Sequence, residues 1–326
     1  MTLRLLPPIF KGGLSMSNFN TAYDDVFRTL LVDCRELIIP VVNEVFHTNY
    51  IGTESVVLHE NEIFMRQQDG EEEKVVTDSS FAIISFTGET KRYHLECQSS
   101  IDGSMLIRMY EYDSQLALQN SEMMQQTLVV RFPESAILYL RHNESISDLF
   151  EIRIHTPNGS ISYHVPTLKV QQYDIETIFE KNLLFLIPFY IFTYEKQFSE
   201  INDNVEKLEV LKREYAMITQ RLDQLVRSCV INEYIKKTIC EMSERVITKL
   251  ASKYESIRKE VTGVMGGKVL EYEAKDILRK GIKEGIEVGK IETLCELVKD
   301  DLLSIEEAAK RVDMTVEEFE NELHKA

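Results

Sequence analysis

Two acidic residues stand in consecutive runs of strand-forming residues. Asp78 lies in Val75-Val76-Thr77-Asp78-Ser79-Ser80-Phe81-Ala82-Ile83-Ile84, and Glu96 in Tyr93-His94-Leu95-Glu96-Cys97-Gln98. The two runs are close enough in the chain to be hairpin neighbours. Adjacent strands lie about 4.8 Å apart, so carboxylates on two of them can share one divalent cation. Phosphodiester hydrolysis needs an activated water and a way to neutralise charge on the phosphate, and a magnesium ion held by one or two carboxylates supplies both. An Asp followed by Glu-x-Gln on the next strand is therefore a pattern for a hydrolytic metal site, with Asp78 and Glu96 as its ligands.

Other residues extend the pattern. Arg108 and Tyr112 are one helical turn apart and share a face. A guanidinium matches phosphate in a bidentate way, and a tyrosine can hydrogen-bond phosphate or stack on a base. Gln98 cannot carry charge, so the role open to it is to orient the attacking water. Asp24 and Asp25 are adjacent on the first predicted helix and point about 100° apart, so one of them faces the site; Asp24 is favoured. Each residue also has a plainer reading. Asp78 suits a turn at a strand edge, and Glu96 the exposed side of a strand whose Leu95 and Cys97 face inward. His94, next to the site, is open to a metal-ligand role, with an exposed strand histidine the favoured reading, and Glu111 and Asp113 read as solvated.

The ordered series resembles the recombination-promoting nuclease and transposase family of the PD-(D/E)XK nuclease superfamily. It comprises Asp24-Asp25-Val26-Phe27, Asp78, Glu96-Cys97-Gln98, Arg108, Tyr112, Phe185-Leu186-Ile187-Pro188-Phe189-Tyr190 and the Gly-x-x-x-Gly tail. The resemblance runs from about Ala22 to the C-terminus. It implies a restriction-endonuclease-like α/β core, a metal-dependent endonuclease acting on DNA in recombination or transposition, and Mg2+ as cofactor with Mn2+ as a substitute. It also implies Asp78, Glu96, Gln98 and Asp24 as catalytic residues, the Cys97 backbone carbonyl as a further metal ligand, and Arg108 and Tyr112 as substrate-binding residues. The superfamily's Pro before the first Asp is replaced by Thr77, and its Lys two residues after the Glu by Gln98.

Composition narrows the alternatives. The chain has 326 residues, 44% of them hydrophobic, enough for a sizeable core. No apolar run reaches the roughly 18 residues of a spanning helix. Residues Met1–Asn20 make a poor secretory signal, broken by Pro7-Pro8, with Met16 an alternative start. Five scattered cysteines, without C-x-x-C spacing, fit reduced thiols in the cytoplasm rather than disulfides or zinc. The net charge of −17 opposes nucleic-acid binding, but it is unevenly spread. Glu54–Glu73 holds seven acidic residues and one basic, and Gly281–Ala326 thirteen and six, whereas Lys74–Arg141 holds eight and six. The segment carrying the candidate site is thus close to neutral.

The elements that must position these residues follow from periodicity. Ala22–Phe46 reads as a helix kinked or divided at Pro40, Ser55–Gln98 as strands, and Ser104–Asn120 as a helix. Thr127–Phe132 and Ala136–Arg141 read as short strands, and Glu151–His155 and Ser160–Val165 as a hairpin around Asn158-Gly159. Helix, strands, helix, strand is an α/β (α+β) order with a mixed central sheet flanked by helices, assigned to residues 20–170 after a tail at 1–19. Residues 171–265 read as mainly helical, beginning with a helix over Glu176–Phe198. Leu208, Leu211, Tyr215, Ile218, Leu222 and Leu225 then form a coiled-coil-like heptad seam, compatible with an intrachain hairpin or a homodimer. Residues 266–326 read as a helix with Gly281, Gly285 and Gly289 on one face, then two short helices opened by Ser304-Ile-Glu-Glu307 and Thr315-Val-Glu-Glu318. Lys283, Glu284 and Glu287 make a membrane role for the glycine stripe unsuitable. The chain has no G-x-S-x-G, Walker A or H-E-x-x-H pattern. Two alternatives to a DNA nuclease stay open: a nuclease acting on RNA, and a non-catalytic interaction protein on the same fold.

Overall fold

A computed structural model describes residues 22–58, 62–66, 72–76, 79–100, 103–141, 144 and 146–265, with scattered positions between 294 and 323. The tail at 1–19, Asp78 and the Gly281, Gly285 and Gly289 stripe lie outside the described residues. The chain divides into two compact units, residues 1–265 and 266–326.

The first unit is mixed α/β. It opens with α1 (Ala22–Asp33) and α2 (Ile38–Phe46), separated by a 3-10 turn at Arg35–Leu37. The expected long helix is therefore divided before Pro40. The proline falls in the first turn of α2, where a missing N–H costs no intrahelical bond. Strands β1 (Ser55–Leu58), β4 (Ser79–Ile84), β5 (Thr90–Gln98), β8 (Glu134–Tyr139), β9 (Leu149–Thr156) and β10 (Gly159–Lys169) form one six-stranded sheet in the order β1-β4-β5-β8-β10-β9. Two further ribbons, β2 (Glu62–Arg66) with β3 (Glu72–Val76) and β6 (Glu122–Met124) with β7 (Thr127–Val129), stand apart from it. Pairing is antiparallel at β1–β4, β4–β5 and β9–β10, and parallel at β5–β8 and β8–β10. Helix α3 (Met105–Gln119) lies between β5 and β8 in the chain, as a parallel crossover requires. The β9–β10 hairpin turns at Asn158-Gly159, with Gly159 at φ +146°, a conformation that suits glycine.

Side-chain alternation gives the sheet two different faces. Tyr93, Leu95 and Cys97 of β5, with Ala136 and Leu138 of β8, join the main core. That core also takes α1, α2 and the helical half of the unit. Ile137 and Tyr139 of β8 and Val165 of β10 point the other way, under Met105 and Met109 of α3.

The helical half begins with α4 (Ile175–Glu180), capped by Asp174, which accepts a 2.8 Å hydrogen bond from the Thr177 N–H. A single helix over Glu176–Phe198 does not form. Asn182 turns the chain at φ +54°, and Leu184–Gln197 continues as a 3-10 coil around Pro188. Its Phe185, Leu186, Ile187, Phe189, Ile191 and Phe192 are completely buried. Helices α5 (Phe198–Asp203), α6 (Val205–Arg227) and α7 (Glu233–Leu250) pack against this coil, and α8 (Glu255–Val264) packs on those three helices. The heptad seam is used inside the chain: Leu211, Tyr215, Ile218 and Leu222 are buried in the main core, and Leu208 and Leu225 pack on it. Among the described residues no helix is long and apolar enough to cross a membrane.

In the second unit, Leu294, Cys295, Ala308, Ala309 and Phe319 form a small core. The Thr315 capping box closes as its sequence predicts. The Thr315 N–H donates to Glu318 Oε2 at 2.8 Å, and the Glu318 N–H donates to Thr315 Oγ1 at 3.3 Å.

One side chain ties the sheet to the helical half. Arg141, just beyond β8, donates to both Glu195 oxygens at 2.5 and 2.7 Å and to the Ser99 carbonyl at 2.5 Å. Its guanidinium lies 4.8 Å from the centre of the Phe192 ring. Tyr23 at the start of α1 hydrogen-bonds the same guanidinium. Arg141→Ala and Glu195→Ala are each expected to cost about 2 kcal/mol in urea unfolding, with the double variant well short of the sum. Additive losses would show that the two groups do not act as a pair.

Candidate functional site

Strand β5 is enclosed on both faces, and one of those faces is polar. Counting by twos from His94 gives Glu96 and Gln98, all three buried, against Tyr93, Leu95 and Cys97 on the apolar face. Cys97 therefore sends its thiol into the main core, which leaves only its backbone for any role at the site. The neighbouring strands carry small or apolar residues opposite these groups. Ser80 of β4 and Ser135 of β8 pair with His94, Ile137 pairs with Glu96, and Tyr139 pairs with Gln98.

His94 is completely enclosed between two carboxylates. Its Nδ1 lies 2.8 Å from Asp113 Oδ1, and its Nε2 lies 3.1 Å from Glu96 Oε1. With both carboxylates ionised each can only accept, so both ring nitrogens then carry protons and the ring is an imidazolium. Burial alone would lower the His94 pKa; the hydrogen bonds to Asp113 and Glu96 outweigh it and push it up to about 10. Asp113 accepts two further bonds, from Ser135 Oγ at 2.6 Å and from the Tyr163 hydroxyl at 3.0 Å. Burial, then the Asp113 charge and hydrogen bond, raise the pKa of Tyr163, so it remains a donor. The solvated Asp113 and exposed His94 expected from the sequence are thus the two least accessible charges of the face, both at 0% exposure. A charge in such a place is tolerated only when paired, and here each is.

Gln98 and Arg108 meet at the other end of this row. Arg108 Nη2 donates to Gln98 Oε1 at 3.2 Å and contacts Met105 Sδ at 3.3 Å. Tyr112, expected to reach substrate, is instead 5% exposed, with its ring edge-on to His94 at 5.9 Å between centroids. A ring held there covers one side of the imidazole. Asp24 is buried in the first turn of α1. Its neighbour Tyr23 bonds Arg141, which bonds the carbonyl of Ser99, the residue after Gln98. The start of α1 therefore lies at the Gln98 end of β5. Asp78 falls outside the described residues, but Ser79, which follows it in the chain, pairs with Leu95 and donates to its carbonyl at 2.9 Å.

The fold thus gathers Glu96, Gln98 and Arg108 on one side of the sheet and keeps Tyr112 as packing. Among the described residues no group of three or more His, Cys, Asp or Glu side chains is arranged to hold a metal ion. Ser135, Tyr163 and the function of Asp113 were not legible in the sequence. Period-two spacing does put His94 with Glu96 and Gln98, but Ser135 and Tyr163 arrive through non-local pairing. No protein-family model, curated protein or solved structure matches the chain.

The His94 proton has a consequence for stability. The group's pKa is raised on folding, from 6.5 to about 10, so its contribution is complete below pH 6.5 and is lost as the pH rises towards 10. Urea unfolding from pH 6.5 to 10 should show wild-type stability falling, by at most about 1.4 kcal/mol per pH unit from this group. His94→Gln should lack that part of the slope. Equal slopes for the two proteins would mean that His94 is not the proton carrier.

Proposed function

We propose that the protein is a metal-dependent endonuclease that hydrolyses phosphodiester bonds in DNA, built on a restriction-endonuclease-like core. The observation that carries the reading is the pairing of Glu96 and Gln98 on one face of β5, with Gln98 hydrogen-bonded to Arg108 of the next helix. Asp78 supplies the second carboxylate in this proposal, one residue before the pair formed by Ser79 and Leu95. The fold supports the reading in its coarser features: a mixed sheet with helices on both faces, and a helix between parallel strands β5 and β8.

The roles follow from the groups. Asp78, Glu96 and the Cys97 carbonyl would hold Mg2+, for which Mn2+ can substitute, and Asp24 would assist from the start of α1. The bound ion would neutralise phosphate charge and lower the pKa of water. The Gln98 amide, neutral at every working pH, orients the attacking water by hydrogen bonding and does not take its proton. Arg108 offers N–H groups to a phosphate oxygen and can exchange its bond to Gln98 for that contact. The near-neutral charge of Lys74–Arg141 makes this the part of an acidic chain best suited to DNA. The heptad seam, which with the net charge and the missing lysine motivated an interaction protein, is occupied by the chain's own core.

Plasmid cleavage tests the reading, with purified full chain in magnesium, manganese or EDTA. Wild type should cut only with metal, and Asp78→Ala and Glu96→Ala should each lose about a hundredfold or more in rate. Matched DNA and RNA substrates run in parallel decide the substrate class. Full activity in both variants, or no cleavage by folded wild type under any metal, would overturn the assignment.

A further inference from the structure

We propose that Asp113 and His94 form a positioning pair that fixes the Glu96 carboxylate for cation binding. The inference rests on the reading of Glu96 as a metal ligand and concerns groups that touch neither cation nor substrate. Four secondary elements converge on it. Asp113 comes from α3, His94 and Glu96 from β5, Ser135 from β8 and Tyr163 from β10. Three donors hold Asp113: His94 at 2.8 Å, Ser135 at 2.6 Å and Tyr163 at 3.0 Å. The aspartate is thereby pinned from three strands, and it pins the imidazole in turn. Rotating the ring would break a hydrogen bond on each side of it, and the edge-on Tyr112 ring lies 5.9 Å away beside it. The ring therefore presents Nε2–H in one direction, to Glu96 Oε1 at 3.1 Å.

Packing alone does not explain this arrangement. Buried ion pairs are generally no more stabilising than apolar side chains of similar volume. A sheet face that needed only to pack under α3 would be served by residues such as the neighbouring Ile137, Met105 and Met109. Instead the chain encloses a carboxyl group and an imidazole, hydrogen-bonded in a line that ends on Glu96. Outer hydrogen bonds of this kind set the orientation of a ligating group, and their loss typically weakens metal binding about 10- to 100-fold. His94 is a positioning residue and Asp113 its anchor. The Glu96 carboxylate is held in one orientation before a cation arrives.

The test uses Mn2+ alone as the probe, with binding to the full chain followed by electron paramagnetic resonance and fold followed by urea unfolding. Glu96→Gln defines the binding that belongs to this site. His94→Gln is expected to weaken that binding about 10- to 100-fold. Asp113→Asn, which keeps an acceptor oxygen for the imidazole, should fall between wild type and His94→Gln, and Tyr163→Phe should weaken binding least. If His94→Gln does not fold, the graded order of Asp113→Asn and Tyr163→Phe carries the test. The proposal is overturned if folded His94→Gln, or both graded variants, bind Mn2+ like wild type while Glu96→Gln does not; a purely structural network would lower stability and leave affinity alone. If Glu96→Gln itself binds Mn2+ like wild type, the metal-ligand reading fails first and the positioning role falls with it.

Discussion

The constraint on which the candidate site depends is that β5 is buried on both faces while one face carries ionisable groups. An interior strand tolerates a histidine and a glutamate only where each charge meets a partner of fixed geometry. Asp113 meets that need by facing His94 from α3, and Ser135 and Tyr163 complete the bonding of Asp113 from two more strands. Satisfying the polar face therefore also sets the register of β8 and β10 against β5 and the rotation of α3 above them. A shift of one residue in β8 or β10 would turn Ser135 or Tyr163 to the other face, and one in α3 would swing Asp113 about 100° around the helix.

The helical half takes part in the same arrangement. The completely buried coil around Pro188 supplies the apolar mass against which α1 packs, through edge-on contacts of Tyr23 with Phe192 and Phe27 with Phe185, each at 5.1 Å. Arg141 then links that coil to the end of β5 by holding Glu195 and the Ser99 carbonyl together. The result orders the Gln98 end of β5, where Arg108 meets Gln98 and the start of α1 is linked through Tyr23 and Arg141. Helices far from the sheet in sequence are thus part of what holds the candidate site's geometry, which gives α6, α7 and α8 a structural role.

The titratable groups of the sheet face beneath α3 are buried and paired: His94 lies between Asp113 and Glu96, and Arg108 stands beside Gln98. The absence of a lysine two residues after Glu96 leaves that position neutral. The buried cation of the strand is His94 instead, two residues before Glu96, where it is enclosed and can act only through the carboxylate it holds.

Local pattern sufficed for much of the architecture. Periodicity located α3, the Asn158-Gly159 hairpin, the heptad helices and the Thr315 cap, because each depends on residues within a few positions of one another. It also put Glu96 and Gln98 on one face. It failed where tertiary packing prevailed over propensity: the division before α2, the 3-10 coil in place of a helix over Glu176–Phe198, and the burial of Tyr112. It failed again at His94 and Asp113, read as exposed because a charged or titratable residue on an amphipathic element is usually solvated. Their burial depends on β5 being covered by α3 and flanked by β8, and on Ser135 and Tyr163 arriving from 22 and 50 residues beyond Asp113. The sequence by itself determined the element types and the candidate chemistry, since both rest on short-range spacing. Only the tertiary structure decided which charges are enclosed and what holds them, because pairing across a sheet joins residues whose separation in the chain carries no periodic signal.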